Sequence, residues 1–372
     1  MSTVVPSIPS IPPHRRILRW LVLLLAWTLV PLFAAEVVFR ARHKLREKPE
    51  DYGLTMKSEN RQRRYQYRPG FSGISHGNHH VRINSFGFRG REYREKKGAT
   101  TRRILLLGDS VTFGLSCEGK DIYPTLLEKY LNRQEGPWTY EVLNGAVNGY
   151  NAENQLGTLR QMGPLVDPDL VILQTCINDI APSNYVSAIG GGSYFNYRGD
   201  YLPEAGLLRS AGEFLEAHSV LAAEIAVNLD RYLKEKGKRE DYFYYYQWFY
   251  REIFLGEFEH PKVARAWEQV LETTAEMHRE ATRQGSRFLC LIFLPSHLMK
   301  YPERPGGYTS RLTALAEENG YPYIIMKDEF IDRWDDRHIY IDRVHLNGWG
   351  HELTAKIIRD YLVANPGLFE CS

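Results

Sequence analysis

The stretch Arg103-Ile-Leu-Leu-Leu-Gly108-Asp109-Ser110-Val-Thr-Phe-Gly114 decides how the rest of the chain reads. Ile104 to Leu107 is an unbroken apolar run, short enough for a strand and suited to one covered on both faces, as parallel strands are. Gly108 permits a sharp exit, and Asp109-Ser110 then fall where a helix should begin. Asp and Ser are preferred helix caps, so the tripeptide fits an ordinary capped helix start. It also fits a nucleophile. A serine on a strand-to-helix turn has an exposed hydroxyl, and its own amide lies at a helix N-terminus, where an oxyanion would be stabilised.

Three more segments follow in order. Tyr140-Glu-Val-Leu-Asn144 reads as a strand and passes into Gly-Ala-Val-Asn-Gly149 before a helical pattern through Met162. Gly149 suits either an ordinary turn or a loop whose backbone N–H must approach a reacting oxygen. Asp167-Pro-Asp opens a strand that runs to Cys176 and ends in Asn178-Asp179. Asn178 fits a turn, and its side-chain N–H could also reach an oxyanion from a strand end. Asp342-Arg-Val-His345 lets one loop present an imidazole together with the carboxylate that fixes its tautomer.

This ordered set resembles the SGNH (GDSL-like) hydrolase superfamily, over roughly residues 102–364. Its four named positions match Ser110, Gly149, Asn178 and His345. The family usually has glycine two residues before the Asn, where this chain has Cys176, which predicts a local change in turn or pocket. The resemblance implies a flavodoxin-like three-layer α/β/α sandwich with a central parallel sheet. It also implies a Ser110-His345-Asp342 acyl-enzyme mechanism, with Ser110, Gly149 and Asn178 forming the oxyanion hole.

The alternation of elements agrees with that fold. Strands are expected at 103–107, 140–144, 170–176, 287–294 and 322–326, with helices at about 121–133, 152–162, 263–284, 308–319 and 351–364. Strands alternating with helices predict parallel pairing, and sites then form beyond the carboxyl ends of the strands.

Trp20 to Phe39 contains one acid, Glu36, and no base, long enough for a helix to span a bilayer. A single-pass membrane anchor at 17–39 is therefore expected after a disordered Ser/Pro-rich tail at 1–16. Arg15, Arg16 and Arg19 precede the span, whereas Arg40, Arg42, Lys44, Arg46 and Lys48 follow it, so the count of bases alone favours a cytoplasmic catalytic domain. Membrane-anchored members of the resembled family usually work outside the cytoplasm, which implies the opposite. Residues 40–101 read as a basic linker and a lead-in segment, Asn84-Ser-Phe-Gly-Phe-Arg-Gly90, expected to pack along the sheet edge. The hydrolase domain is expected at 102–365.

Within it, 183–262 is longer than a crossover requires and carries an aromatic run, Tyr242 to Tyr250. It reads as a helical cap whose aromatics form its own core, or as a platform for an acyl group or sugar. The 372 residues carry a formal net charge of +2, which gives no case for nucleic-acid binding. Cys117, Cys176, Cys290 and Cys371 show no metal spacing and no disulfide framework. His76, His79 and His80 look metal-like but lack a nearby carboxylate in sequence, so neither metal nor cofactor is expected. The reading that results is a membrane-anchored ester hydrolase acting on an O-acyl ester of a cell-envelope glycan or lipid. An O-acyltransferase using the same residues is the first alternative, and a non-catalytic glycan-binding or assembly protein the second.

Overall fold

The computed structural model describes residues 13–46, 54–75, 79–115, 117–180, 219, 221, 253–256, 261–296, 306–332, 338–342 and 344–370. The tail at 1–12, His76, Cys371 and nearly all of the 183–262 insertion lie outside the described residues. The chain divides into two compact bodies, residues 1–47 with 202–239, and 48–201 with 240–372.

In the first body, helix α1 spans Pro13–Arg46. Its lone central acid, Glu36, accepts from Arg40 Nε at 2.6 Å, and from Ser219 Oγ and the Leu221 N–H at 2.8 and 2.9 Å. No helix among the described residues is long and apolar enough to cross a membrane. Within α1 the described side chains run unbroken only from 22 to 38, with Leu21 and Phe39 outside them.

The second body is built on a parallel sheet. Its strands are β5 Thr101–Leu107, β6 Thr139–Asn144, β7 Leu170–Thr175, β8 Arg287–Ile292 and β9 Tyr323–Ile325, in the order β6-β5-β7-β8-β9. Alternate residues of β5 go to opposite faces, as a period of two requires. Leu105 and Leu107 pack under helices α4 (Ala152–Val166), α5 (Pro261–Arg283) and α6 (Tyr308–Asn319), whereas Ile104 and Leu106 pack with α3 (Tyr123–Leu131) and α8 (Gly348–Ala364). Both faces are covered, which is why the run at Ile104–Leu107 has no polar alternation. The chain leaves β5 toward β6 on one side and later returns to β7 on the other. This is the flavodoxin-type order, whose crevice opens at the carboxyl ends of those two strands.

The segment ahead of the sheet, which reads as short strands and turns around Tyr67-Arg-Pro-Gly and the lead-in, has a definite arrangement. Two antiparallel hairpins precede the sheet: β1 Thr55–Lys57 with β2 Tyr65–Tyr67, and β3 Ser72–Ser75 with β4 His79–Arg82. They close a third small core of Leu54, Tyr65, Tyr67, Val81, Ile83, Phe113, Val147 and Tyr150. The lead-in segment does reach the sheet edge, where the Arg89 N–H donates to Asn144 O at 3.2 Å. One element lies outside the sequence expectation: α7, Met326–Asp332, which starts directly after β9 with no loop between.

Candidate active site

The Gly108-Asp109-Ser110 turn is set by what Gly108 lacks. A Cβ there would overlap the Thr112 side chain and Gln174 Oε1. That oxygen, from β7, accepts from the Asp109 N–H at 3.2 Å and from Thr112 Oγ1 at 2.8 Å. Asp109 is fully buried and caps the four-residue helix α2, Ser110–Phe113, with Oδ1 accepting from the Val111 N–H at 2.9 Å. Ser110 is thus the first residue of a short helix at the end of β5.

The far end of α2 is held from the lead-in segment. Buried Arg89 sends Nη1 to Phe113 O and Gly114 O at 2.9 and 2.8 Å, and Nη2 to Cys117 O at 2.6 Å. Burial lowers its pKa to about 10, so it stays cationic at neutral pH beside these carbonyls. A cation at a helix C-terminus is the favourable polarity. Sequence reasoning placed this segment at the sheet edge but assigned Arg89 no role.

The Asp342–His345 loop comes from the opposite end of the chain. Tyr340 pairs with Leu346, and the Ile341 N–H donates to His345 O at 2.8 Å, so the loop closes as a tight reversal just before α8. Asp342 Oδ1 accepts from the N–H groups of Val344 and His345, both at 2.7 Å. Its Oδ2 meets His345 Nδ1 at 2.7 Å, and His345 Nε2 meets Ser110 Oγ at 2.8 Å. Partial burial pushes the Asp342 pKa up, but the two backbone N–H groups and the His345 ring outweigh it and hold the carboxyl below its ordinary range. The structure therefore brings Ser110, His345 and Asp342 into one continuous line.

The two remaining site residues follow strands on the same side of the sheet. Gly149 lies in the turn after β6 with φ +73°, a conformation that favours glycine. Asn178 sits in a 3₁₀ turn, Ile177–Ile180, directly after β7, and its Nδ2 donates to Asp109 Oδ2 at 2.7 Å. One buried carboxylate thus ties helix α2 to Asn178. Below it, burial first and the Asp109 charge second push the Asp179 carboxyl well above the usual range. Asp179 accepts from the Cys176 N–H at 2.8 Å and from Gln155 Nε2 at 3.0 Å. Cys176, where the resemblance predicts glycine, has a fully buried thiol, and its backbone organises this turn.

Of the histidine-rich segment, His79 and His80 are described and take separate partners. His79 Nδ1 lies 3.2 Å from Glu118 Oε1, a carboxylate that sequence distance concealed, and His80 Nε2 lies 3.2 Å from Ser72 Oγ. Among the described residues no group of three or more His, Cys, Asp or Glu side chains is placed to hold a metal. Cys117, Cys176 and Cys290 are buried free thiols. His351 does not join the site. It is buried against Tyr123, and its Nδ1 accepts from the Tyr123 N–H at 3.3 Å.

No curated protein sequence matches the chain. Among solved structures it resembles TesA at 14% identity and TM-score 0.40, over 72% of this chain and 100% of that one. A two-domain esterase active on acetylated mannans matches at 14% and 0.43, over 73% of this chain and 51% of that one. Axe2, an acetylxylan esterase from Geobacillus stearothermophilus, matches at 14% and 0.39, over 69% and 92%. The profile of the GDSL-like Lipase/Acylhydrolase family matches residues 106–353, from the end of β5 to beyond His345 and across more than half of the chain, and the protein belongs to that family.

Proposed function

We propose that this protein is a serine ester hydrolase, with Ser110 as nucleophile, His345 as general base and acid, and Asp342 as the carboxylate that orients it. The line of contacts from Asp342 through His345 to Ser110 carries this reading. An ionised carboxylate only accepts, so the imidazole proton belongs on Nδ1, and Nε2 presents its lone pair to the serine hydroxyl.

Ser110 Oγ attacks the ester carbonyl carbon while its proton passes to Nε2. The tetrahedral oxyanion meets the N–H groups of Ser110 and Gly149 and the Asn178 Nδ2 proton that Asp109 does not engage. Collapse breaks the C–O bond, and the imidazolium returns the proton to the departing alcohol. Water then repeats the sequence on the acyl-enzyme, releasing the acid and restoring Ser110. A positioned base supplies about 10²–10⁴-fold and one oxyanion donor about 10²–10³-fold. An acyltransferase would differ only in using a sugar hydroxyl in place of that water.

The second part of the proposal concerns place. The large apolar side chains described along α1, from Trp20 to Val38, are exposed, Trp27 by 78%. Together with a run from Trp20 to Phe39 that carries no base and Glu36 as its single acid, this supports α1 as a membrane tether; the family resemblance, against the count of bases, argues for a catalytic body outside the cytoplasm, with an O-acyl ester of a glycan or lipid near that surface as substrate.

A fluorophosphonate should label wild-type protein at Ser110. Ser110→Ala should lose labelling and turnover on p-nitrophenyl esters of graded chain length. Unchanged hydrolysis by Ser110→Ala refutes the assignment. Adding a glycan acceptor to the same assay separates hydrolysis from transfer, and protease protection in sealed vesicles tests the orientation.

A further inference from the structure

We propose that Tyr65, from the hairpin that precedes the sheet, is a positioning residue that aims the Gly149 N–H at the oxyanion. The proposal rests on the hydrolase reading above. Tyr65 OH donates to Asn148 O at 2.8 Å. That carbonyl belongs to the same peptide unit as the Gly149 N–H. The unit is planar and trans, so its C=O and N–H point in opposite directions and fixing one fixes the other. A hydrogen bond accepted by the carbonyl also polarises the amide, making its N–H a stronger donor.

The neighbouring peptide is held as well. The Asn148 N–H donates to Tyr67 OH at 2.9 Å. Tyr65 and Tyr67 are i and i+2 on β2, so both side chains leave the same face of the strand and grip consecutive peptide units. Both are buried. The Tyr65 ring packs edge-on against Tyr150 with centroids 5.1 Å apart, and Tyr150 OH donates back to Tyr65 O. The Tyr67 ring lies 4.8 Å from that of Phe113, the last residue of the nucleophile helix. One strand therefore touches both the helix bearing Ser110 and the loop bearing Gly149.

Gly149 fits this grip closely. Its φ of +73° disfavours other residues, and a Cβ there would stand 3.1 Å from the Tyr65 hydroxyl. Burial pushes the Tyr65 phenol well above its ordinary pKa, so it remains a donor over the whole working range.

The test is Tyr65→Phe in the full chain, which keeps the ring and deletes only the donor. Losing a whole oxyanion donor costs about 10²–10³-fold, so losing its aim should lower kcat by about 10-fold or more while KM stays within about twofold. Affinity for an alkylboronic acid, which forms the tetrahedral adduct on the serine, should fall by the same factor as kcat/KM. Tyr67→Phe, which frees the preceding peptide instead, should cost less kcat than Tyr65→Phe. A purely structural role would lower the melting temperature and leave kcat and boronate affinity alone, which overturns the proposal. Should Tyr65→Phe fail to fold, 3-fluorotyrosine at position 65 is a stronger donor of similar size. Boronate affinity should then rise, and an unchanged or lower affinity counts against the clamp. Wild-type turnover with Ser110 labelling, combined with an unaffected Tyr65→Phe, defeats the clamp alone. Wild type with neither turnover nor labelling defeats the hydrolase reading and the clamp with it.

Discussion

Acidification from pH 7 to pH 5 should destabilise the catalytic body through one residue, His351. Its ring lies in α8, fully buried, with Nδ1 accepting the amide of Tyr123. Tyr123 opens α3, whose cap residue Ile122 offers no side-chain bond, so His351 satisfies an otherwise orphaned helix amide. Protonation would remove that acceptor and place a cation at the positive end of a helix. Burial first, then the charges of Arg89 and His345, lower its pKa from the ordinary 6.5 to about 3. Between those two values only the unfolded chain takes up the proton. Unfolding is then favoured as pH falls, and the stability present above the unfolded pKa drains away toward the folded one. From pH 7 to pH 5 the difference is about 2 kcal/mol at 1.36 kcal/mol per unit. Asp179 works in the opposite sense, since a raised carboxyl pKa loses stability as pH rises. The clean measurement is therefore the difference between wild type and His351→Gln in urea unfolding at the two pH values. Wild type should lose about 2 kcal/mol more than the variant over this interval. Equal losses would refute a neutral buried His351.

Asp342→Asn should lower kcat by about 10⁴-fold, because an amide that donates to Nδ1 forces the wrong tautomer; its half-exposed position predicts little change in melting temperature, so the two measurements separate catalysis from folding. Gly108→Ala should destabilise by about 1–3 kcal/mol or more, as the new methyl is driven into Thr112 and Gln174, and fluorophosphonate labelling should slow with it. Arg89→Lys should cost roughly 3 kcal/mol in denaturant unfolding, since an ammonium cannot span the three carbonyls that the guanidinium fork holds.

The strands were readable because both faces of the sheet are covered: Ile104–Leu107 has no exposed side to betray its period, and its length and glycine exit identify it instead. Ser110, Gly149, Asn178 and His345 stand out in the sequence because each falls close to where one element ends or the next begins. The partners that hold them were not. Asp109 reads as a helix cap and is one, yet its second oxygen holds Asn178, a contact between residues far apart in sequence. The α7 helix escaped notice because Ile325 and Met326 join strand to helix without the turn residues that punctuate such changes. Tyr65 and Tyr67 carry no signal of their own in the sequence; which peptide their hydroxyls meet is fixed only by the docking of β2 beneath the Gly149 loop.

The hairpins and the lead-in segment also change where an excision may be made. A fragment beginning at residue 102 would contain the whole sheet, Ser110, Gly149, Asn178, Asp342 and His345. It would lack Tyr65, Tyr67 and Arg89, leaving the Asn148 amide and the carbonyls closing α2 without the partners they have here. On the proposed reading, the smallest catalytically competent piece starts near Leu54, and a nick between the hairpins and β5 would free the residues that hold the Gly149 loop and helix α2.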